Sequence, residues 1–214
     1  MAQIHSLFCF LYSLLIISLV RADHTVVHRH SRARAFIEFQ CRTTLYPSLC
    51  IRTLSYYIGD FTTTLSRKHL AQIALKVTLG RAESTRAYVT GVAKGLDPKE
   101  AKDYQAIRQC LDQISDGVDL LTNCIKEMQK IKEHGSGSRN FPWRESNVKT
   151  WMSTALTDAS MCINGLPGRS IGGKTKAMIK AKVLNLQHVT SNALALFNSF
   201  AARYRLSHVK KHKA

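Results

Sequence analysis

The sequence predicts an all-α protein: an up-down-up-down four-helix bundle with an N-terminal helical hairpin, stapled by disulfides. Two observations predict the helices. Four long segments repeat apolar residues at spacings of three and four, as the buried face of a helix requires. The 4 prolines and 11 glycines of this 214-residue chain leave those segments almost uninterrupted. A third observation, cysteines behind an export signal, predicts the disulfides.

The first 22 residues are predicted to be a signal peptide. Residues 7–20 form an apolar run that is too short to span a bilayer with helix to spare, and Val20-Arg21-Ala22 has the small-x-small pattern of a cleavage site. The mature chain then begins near Asp23. We therefore expect a secreted, extracellular protein without a transmembrane segment.

The mature chain is predicted to form one folded domain between two basic ends. Residues 23–33 are predicted to be a flexible basic tail, and residues 207–214 a basic C-terminal tail. The domain, residues 34–206, is divided into the helical hairpin, residues 34–60, and the four-helix bundle, residues 66–206.

Five cysteines remain after export, and their odd number leaves one thiol free or paired between molecules. Cys110 and Cys124 lie on one predicted helix, roughly 21 Å apart at about 1.5 Å per residue, which is too far for a disulfide. Tyr46-Pro47 breaks the chain between Cys41 and Cys50, so these two can clasp a hairpin. Either Cys110 or Cys124 is then left for Cys162.

The first two bundle helices are predicted over residues 66–95 and 98–132, separated by Gly95 and Asp97-Pro98. The buried stripe of the first is predicted to contain Leu70, Ile73, Val77, Gly80, Ser84 and Tyr88. The second has the most regular stripe of the chain, consisting of Tyr104, Ile107, Leu111, Ile114, Val118, Leu121, Ile125 and Met128.

Residues 133–142 are rich in glycine and serine and are predicted to be a flexible loop. The third bundle helix is predicted over residues 146–163. A turn over residues 166–173 precedes the last helix, whose buried stripe is predicted to contain Ile179, Val183, Leu186, Val189, Ala193, Leu196 and Phe200.

No catalytic arrangement is recognisable in the sequence. Residues 168–175 satisfy the P-loop pattern, but such a loop must follow a β-strand, and the preceding residues 160–166 end a predicted helix. We interpret this segment as a glycine-rich turn between helices. No combination of nucleophile, base and oxyanion donors is apparent, so we expect no enzyme, no cofactor and no metal site.

The formal net charge of +17 predicts a surface that attracts polyanions or acidic partners. For an exported protein, acidic polysaccharides, anionic lipid headgroups and acidic proteins are more accessible than nucleic acid. We therefore expect no nucleic-acid partner.

Three stretches carry unusual motifs in a fixed order. Residues 39–50 read FQCRTTLYPSLC, residues 147–162 read NVKTWMSTALTDASMC and residues 191–196 read SNALAL, with Cys110 between the first two. Over roughly residues 34–204 the chain resembles the plant invertase and pectin methylesterase inhibitor family. The resemblance implies disulfides Cys41–Cys50 and Cys110–Cys162, and it leaves Cys124 as the free thiol.

The resemblance also implies a function. Residues 147–158 are more similar to the pectin methylesterase inhibitors, although Met161 stands where those usually carry threonine. The resemblance therefore implies a secreted protein of the apoplast or cell wall that inhibits pectin methylesterase by 1:1 occlusion of the substrate cleft. Contacts in the family come largely from the second and third bundle helices, which implies that the partner-binding residues are Thr154, Thr157, Asp158 and Ser160.

Two alternatives remain open. The first is an inhibitor of cell-wall or vacuolar acid invertase, although the Pro-Lys-Phe element of such inhibitors is missing from residues 139–144, which read RNFPWR. The second is a basic cell-wall binding protein without inhibitory activity. In every case the positive charge predicts an electrostatic association with anionic, de-esterified pectin.

Overall fold

The computed structural model describes residues 28–61, 65–96, 101–131, 140–166 and 172–211, and all regular elements in these ranges are helical. Helix α1 covers residues 28–41. The following elements are α2 (Pro47–Leu54), a 3₁₀ helix (Ser55–Phe61), α3 (Arg67–Lys94), α4 (Ala101–Lys130), α5 (Phe141–Gly165) and α6 (Gly173–Lys211). The predicted all-α fold is confirmed.

Helices α3, α4, α5 and α6 form the bundle, in which α3 and α5 each pack against both α4 and α6. The disulfide between Cys110 and Cys162 joins the first half of α4 to the last part of α5. Farther along α4, the thiol of Cys124 lies 3.6 Å from the carbonyl oxygen of Val148, near the start of α5. These two contacts show that α4 and α5 are antiparallel.

Helix α6 runs antiparallel to both α3 and α5. Arg67, the first residue of α3, donates a 3.1 Å hydrogen bond to Ser199 of α6, and farther along α3 the Thr78 hydroxyl lies 3.4 Å from the carbonyl oxygen of Val189, which comes earlier in α6. Near the C-terminal end of α6, Tyr204 stacks on Phe141, the first residue of α5, with 4.0 Å between ring centroids. Consecutive helices of the bundle therefore alternate in direction. The predicted up-down-up-down arrangement is confirmed, with α3 and α5 on one diagonal of the bundle.

The hairpin formed by α1 and α2 is clasped by a disulfide and bound to α6. Cys41 and Cys50 are bonded, with 5.7 Å between their Cα atoms. The buried side chain of Asn192 accepts a 3.0 Å hydrogen bond from the backbone N–H of Tyr46 and donates a 2.9 Å bond to the carbonyl oxygen of the same residue. The ring of Tyr46 stacks on His188, with centroids 3.8 Å apart.

The ends of the domain are more helical than predicted. The prediction of a flexible tail is wrong for residues 28–33, which belong to α1, while residues 23–27 lie outside the described residues. Ala33 and Ile37, one helical turn apart, are both fully buried, so packing extends the helix towards the N-terminus. At the other end α6 continues to Lys211, past the predicted boundary at residue 206.

Helix α5 begins earlier than predicted. The loop prediction for residues 133–142 is wrong for Phe141 and Pro142, which form the first turn of α5. Proline is tolerated there because the first backbone N–H groups of a helix have no partner within it. Phe141 is buried against Phe200 and Tyr204 of α6, which anchors this turn.

The predicted core stripes of α4 and α6 are confirmed, whereas that of α3 is partly wrong. In α6 all seven predicted residues are buried, and in α4 five of the eight are buried and three half-buried. In α3 only Leu70 and Ile73 of the predicted stripe are buried, and Gly80 and Ser84 are exposed. The buried face of α3 instead continues through smaller residues: Ala74, Thr78, Ala82, Thr85, Val89 and Ala93.

Some predictions concern segments outside the described residues. The signal peptide, residues 1–22, is among them. So are residues 167–171, which make up most of the predicted turn over residues 166–173. Within the described ranges, no helix combines the length and apolar character that crossing a bilayer would need.

Candidate functional site

One side of α5 faces solvent along the whole helix. Its opposite side is buried through Val148, Met152, Ala155, Ala159 and Cys162. The solvent-facing residues follow the helical repeat at spacings of three and four, and we call them the α5 stripe: Trp143, Asn147, Thr150, Thr154, Thr157 and Met161. All are exposed except Asn147, which is half-buried.

Ion pairs to both neighbouring helices hold the start of α5 in place. Arg144 pairs with Glu127 of α4, and Glu145 pairs with Lys149 of α5 and Arg205 of α6. Burial raises the pKa of Glu145, but the hydrogen bonds and positive charges of Lys149 and Arg205 outweigh this effect and leave that pKa below its ordinary value. Glu145 is therefore an ionised, nearly buried carboxylate that joins α5 to α6.

The structure brings two of the four predicted partner-binding residues together. Thr154 and Thr157 are exposed and border a shallow depression that Lys149, Thr150 and Ser153 complete. The Thr154 hydroxyl donates to the carbonyl oxygen of Thr150 at 3.0 Å, and that of Thr157 donates to Ser153 at 3.1 Å. Because their protons are directed into the helix, these hydroxyls offer mainly acceptor lone pairs to a partner.

The other two predicted residues, Asp158 and Ser160, are half-buried on the flanks of α5. Ser160 accepts a 2.6 Å hydrogen bond from Gln187 of α6. Oδ2 of Asp158 is buried without a hydrogen-bond partner among the described residues. Burial, with a smaller contribution from the charge of Asp116 on α4, raises the pKa of Asp158. These two side chains are therefore less accessible to a partner protein than those of Thr154 and Thr157.

Comparison with known proteins places the chain in a family. The family model described as plant invertase/pectin methylesterase inhibitor matches residues 35–196. The chain belongs to this family. It is 39% identical to pectinesterase inhibitor 9 of Arabidopsis thaliana over 194 residues. That alignment covers 91% of this chain and 94% of the relative. It is 37% identical to pectinesterase inhibitor 11 of the same plant, over 94% and 97% of the two chains.

The fold of this family member also matches a solved structure. A crystal structure of a mutant form of a pectin methylesterase inhibitor from Arabidopsis superimposes with a TM-score of 0.56, covering 74% of this chain and 92% of that one. The two sequences are 19% identical, so this match supports the fold alone.

Sequence reasoning missed Trp143 and Thr150 as members of the exposed α5 surface. Trp143 is 64% exposed, although indole side chains usually bury most of their area. It was missed because the helix was predicted to start at residue 146, which left Trp143 outside the helical repeat. The repeat itself could have found it, since steps of four and three lead back from Thr154 through Thr150 and Asn147 to Trp143.

Proposed function

We propose that this family member is a secreted inhibitor of pectin methylesterase that binds the enzyme 1:1 and covers its substrate cleft with the α5 stripe. The names of the two Arabidopsis relatives support the target, because both align with nearly the whole chain. The predicted signal peptide supports secretion. The observation that carries the proposal is the stripe itself, an exposed surface on a helix whose other sides are bonded to the bundle.

The composition of the stripe suits a protein interface. Tryptophan and methionine are enriched in the cores of protein interfaces, and here an exposed tryptophan and a methionine stand at opposite ends of a row of small polar residues. Met161 is 49% exposed, so the threonine that it replaces in similar inhibitors would also face outwards. The short threonines between the two ends leave the surface flat enough for close approach.

The rigid attachment of α5 to the bundle also supports the proposed occlusion of the cleft. The Cys110–Cys162 disulfide and the pairs made by Glu127 and Glu145 link α5 to both adjacent helices. For a closed loop of this length, the chain-entropy model gives a stabilisation on the order of 4 kcal/mol. A surface that is already ordered loses less entropy on binding, so it can occlude a cleft without a conformational change.

A bulky charge in the stripe tests the proposal. Thr157→Arg is expected to weaken inhibition of pectin methylesterase by at least about tenfold, because the arginine must be desolvated and accommodated in the interface. Its thermal midpoint should stay near that of the parent, since exposed helical sites tolerate arginine. Ala87→Arg, on the exposed side of α3 across the bundle diagonal, is the matched control and should inhibit normally.

Trp143→Ala is the complementary truncation. Because this side chain is exposed, its removal should cost little folding stability, whereas loss of an interfacial indole typically weakens binding by about 2 kcal/mol or more. Normal inhibition by both Thr157→Arg and Trp143→Ala would show that the stripe is not the contact surface.

The family includes inhibitors of two enzyme classes, so the target requires a paired assay. The purified protein should be titrated against pectin methylesterase and against acid invertase, with the esterase expected to be inhibited. Inhibition of invertase alone would replace the proposed target. Inhibition of neither would favour a basic cell-wall binding protein.

A further inference from the structure

A basic cleft lies on the side of the bundle where α2 and the 3₁₀ helix meet α3 and α6. It has a volume of about 660 Å³, within the usual range for ligand sites. Four cationic side chains line it: Arg52 from α2, Lys76 and Arg81 from α3, and Lys182 from α6. None of the residues that line the cleft is acidic. We call it the basic cleft.

The cationic groups of this cleft are available to a ligand. None of the four forms a salt bridge with a carboxylate in the described part of the chain, whereas Arg144 and Arg205 elsewhere each pair with a buried glutamate. Lys182 lies over the ring of Tyr88, 5.0 Å from its centroid, which orients its ammonium group without neutralising it. Four like charges in a concave site focus a positive potential there and attract anions.

Aromatic surface lies beside these charges. Tyr56 and Tyr57 line the cleft and are 85% and 39% exposed. In the described part of the chain, Tyr56 is the most exposed of the large hydrophobic side chains. A tyrosine ring combines an apolar face with a polar hydroxyl, so such rings can pack against a sugar ring while the hydroxyl stays hydrated. An acidic ligand without rings would use the cations and leave these faces uncovered.

Gly80 also lines the cleft. Glycine inside a helix costs about 1 kcal/mol relative to alanine. Packing does not require it here, because a Cβ atom added at Gly80 would meet no atom within 4 Å. The absent side chain instead leaves open space in the cleft, which Gly80 lines together with Lys76, Arg81 and the two tyrosines.

We propose that the basic cleft binds a segment of carboxylated polysaccharide, namely a run of de-esterified galacturonate units. Such a chain carries one carboxylate per sugar ring, which matches cations distributed along a cleft, and its rings match the exposed tyrosines. The choice of galacturonate rests on the proposed function, because pectin methylesterase converts the methyl esters of that polymer into these carboxylates. The cleft lies on the α2, α3 and α6 side, and none of its lining residues belongs to α5.

A steric test separates this site from diffuse attraction by the net charge. Binding of a de-esterified oligogalacturonate to the mature chain is measured by titration calorimetry for the parent and for Gly80→Leu. Leucine fills the cleft without changing any charge and is expected to weaken binding at least about tenfold. Gly91→Leu is the matched control, since Gly91 is exposed on the same helix, equally free of neighbours and outside the cleft. Both variants should keep or raise the thermal midpoint.

A charge test uses two variants with the same net charge. Replacing Arg52, Lys76 and Arg81 with glutamine should abolish measurable binding. The control replaces three exposed basic residues of α4 with glutamine, namely Lys102, Arg108 and Lys126. It should retain binding within about threefold, because distant exposed charges are screened by salt. Equal losses in the two variants would show diffuse adhesion and overturn the proposal.

Two further ligands identify the chemistry. The fully methyl-esterified oligomer should not bind, because it lacks the carboxylates. Poly-glutamate should bind more weakly, and Tyr56→Ala should reduce binding of the oligogalacturonate alone. If poly-glutamate binds as tightly as the oligogalacturonate and Tyr56→Ala has no effect, the cleft accepts an acidic peptide and the proposal is wrong. None of these measurements uses an esterase, so this proposal and the proposed inhibition can fail separately.

Discussion

Asn192→Ala should weaken the attachment of the N-terminal hairpin to the bundle. The side chain of Asn192 is 4% exposed and makes two hydrogen bonds with the backbone of Tyr46, at 3.0 and 2.9 Å. These bonds connect the segment between α1 and α2 to α6, which lies far along the sequence. Alanine removes both bonds, and it leaves the N–H of Tyr46 without the acceptor that it uses in the structure.

The magnitude follows from these two bonds. The carbonyl oxygen of Tyr46 still accepts a 3.0 Å hydrogen bond from the N–H of Cys50, so it loses only one of its two donors. The N–H loses its partner. A net contribution of about 1 kcal/mol per hydrogen bond gives a loss of about 2 kcal/mol in the free energy of unfolding. For a domain of this size that corresponds to a fall of roughly 4 to 8 °C in the thermal midpoint.

Two assays check this prediction. Calorimetry or circular dichroism gives the midpoint, and limited proteolysis reports whether residues near Tyr46 become accessible, because a detached hairpin exposes its backbone to the protease. The control is Asn198→Ala, the same substitution at an exposed site of α6, which should change stability by less than about 0.5 kcal/mol. Equal midpoints and equal cleavage rates for the two variants would refute the assigned role of Asn192.

Three further predictions concern titratable groups that are buried or half-buried. Glu145→Gln should lower the thermal midpoint at neutral pH, and the difference from the parent should shrink as the pH falls through the lowered pKa of Glu145, because its ionised form is the one that the fold stabilises. Asp158→Asn should raise the midpoint at neutral pH, and this gain should vanish below the ordinary pKa of about 3.8, because burial penalises the carboxylate. Burial raises the pKa of Cys124 to about 12, so iodoacetamide should label this thiol only after denaturation. Labelling is followed by mass spectrometry, and labelling of the folded protein would contradict the burial of Cys124.

The core of the bundle was predictable where large apolar residues face it. Ile107, Ile114 and Leu121 in α4 are all buried, as the repeat in the sequence predicts. The same reasoning failed in α3 beyond Ile73, where Thr78 and Thr85 are buried. Thr78 satisfies its hydroxyl by donating to the carbonyl oxygen of Ala74 at 2.8 Å, which lets a polar residue enter the core.

The candidate site was predictable only in part, because residue type does not distinguish an exposed threonine from one that faces a neighbouring helix. Thr157 and Ser160 are three positions apart on α5 and both carry hydroxyls. The first is exposed, whereas the second accepts a hydrogen bond from Gln187. Only the positions of α4 and α6 around α5 separate the two roles. The bidentate contact of Asn192 was equally hidden, because its partner, Tyr46, lies in another part of the sequence.

The basic cleft and the α5 stripe have no residue in common, because α3 and α5 occupy opposite corners of the bundle. Effects of distant substitutions that share no partner are close to additive. Combining Gly80→Leu with Thr157→Arg should therefore reproduce the two single losses, one in galacturonate binding and one in inhibition, without a further effect on either. This separation also means that bound polysaccharide need not displace the enzyme. A protein retained on the anionic product would then meet the esterase at a raised local concentration, which favours the complex without any new contact between the two proteins.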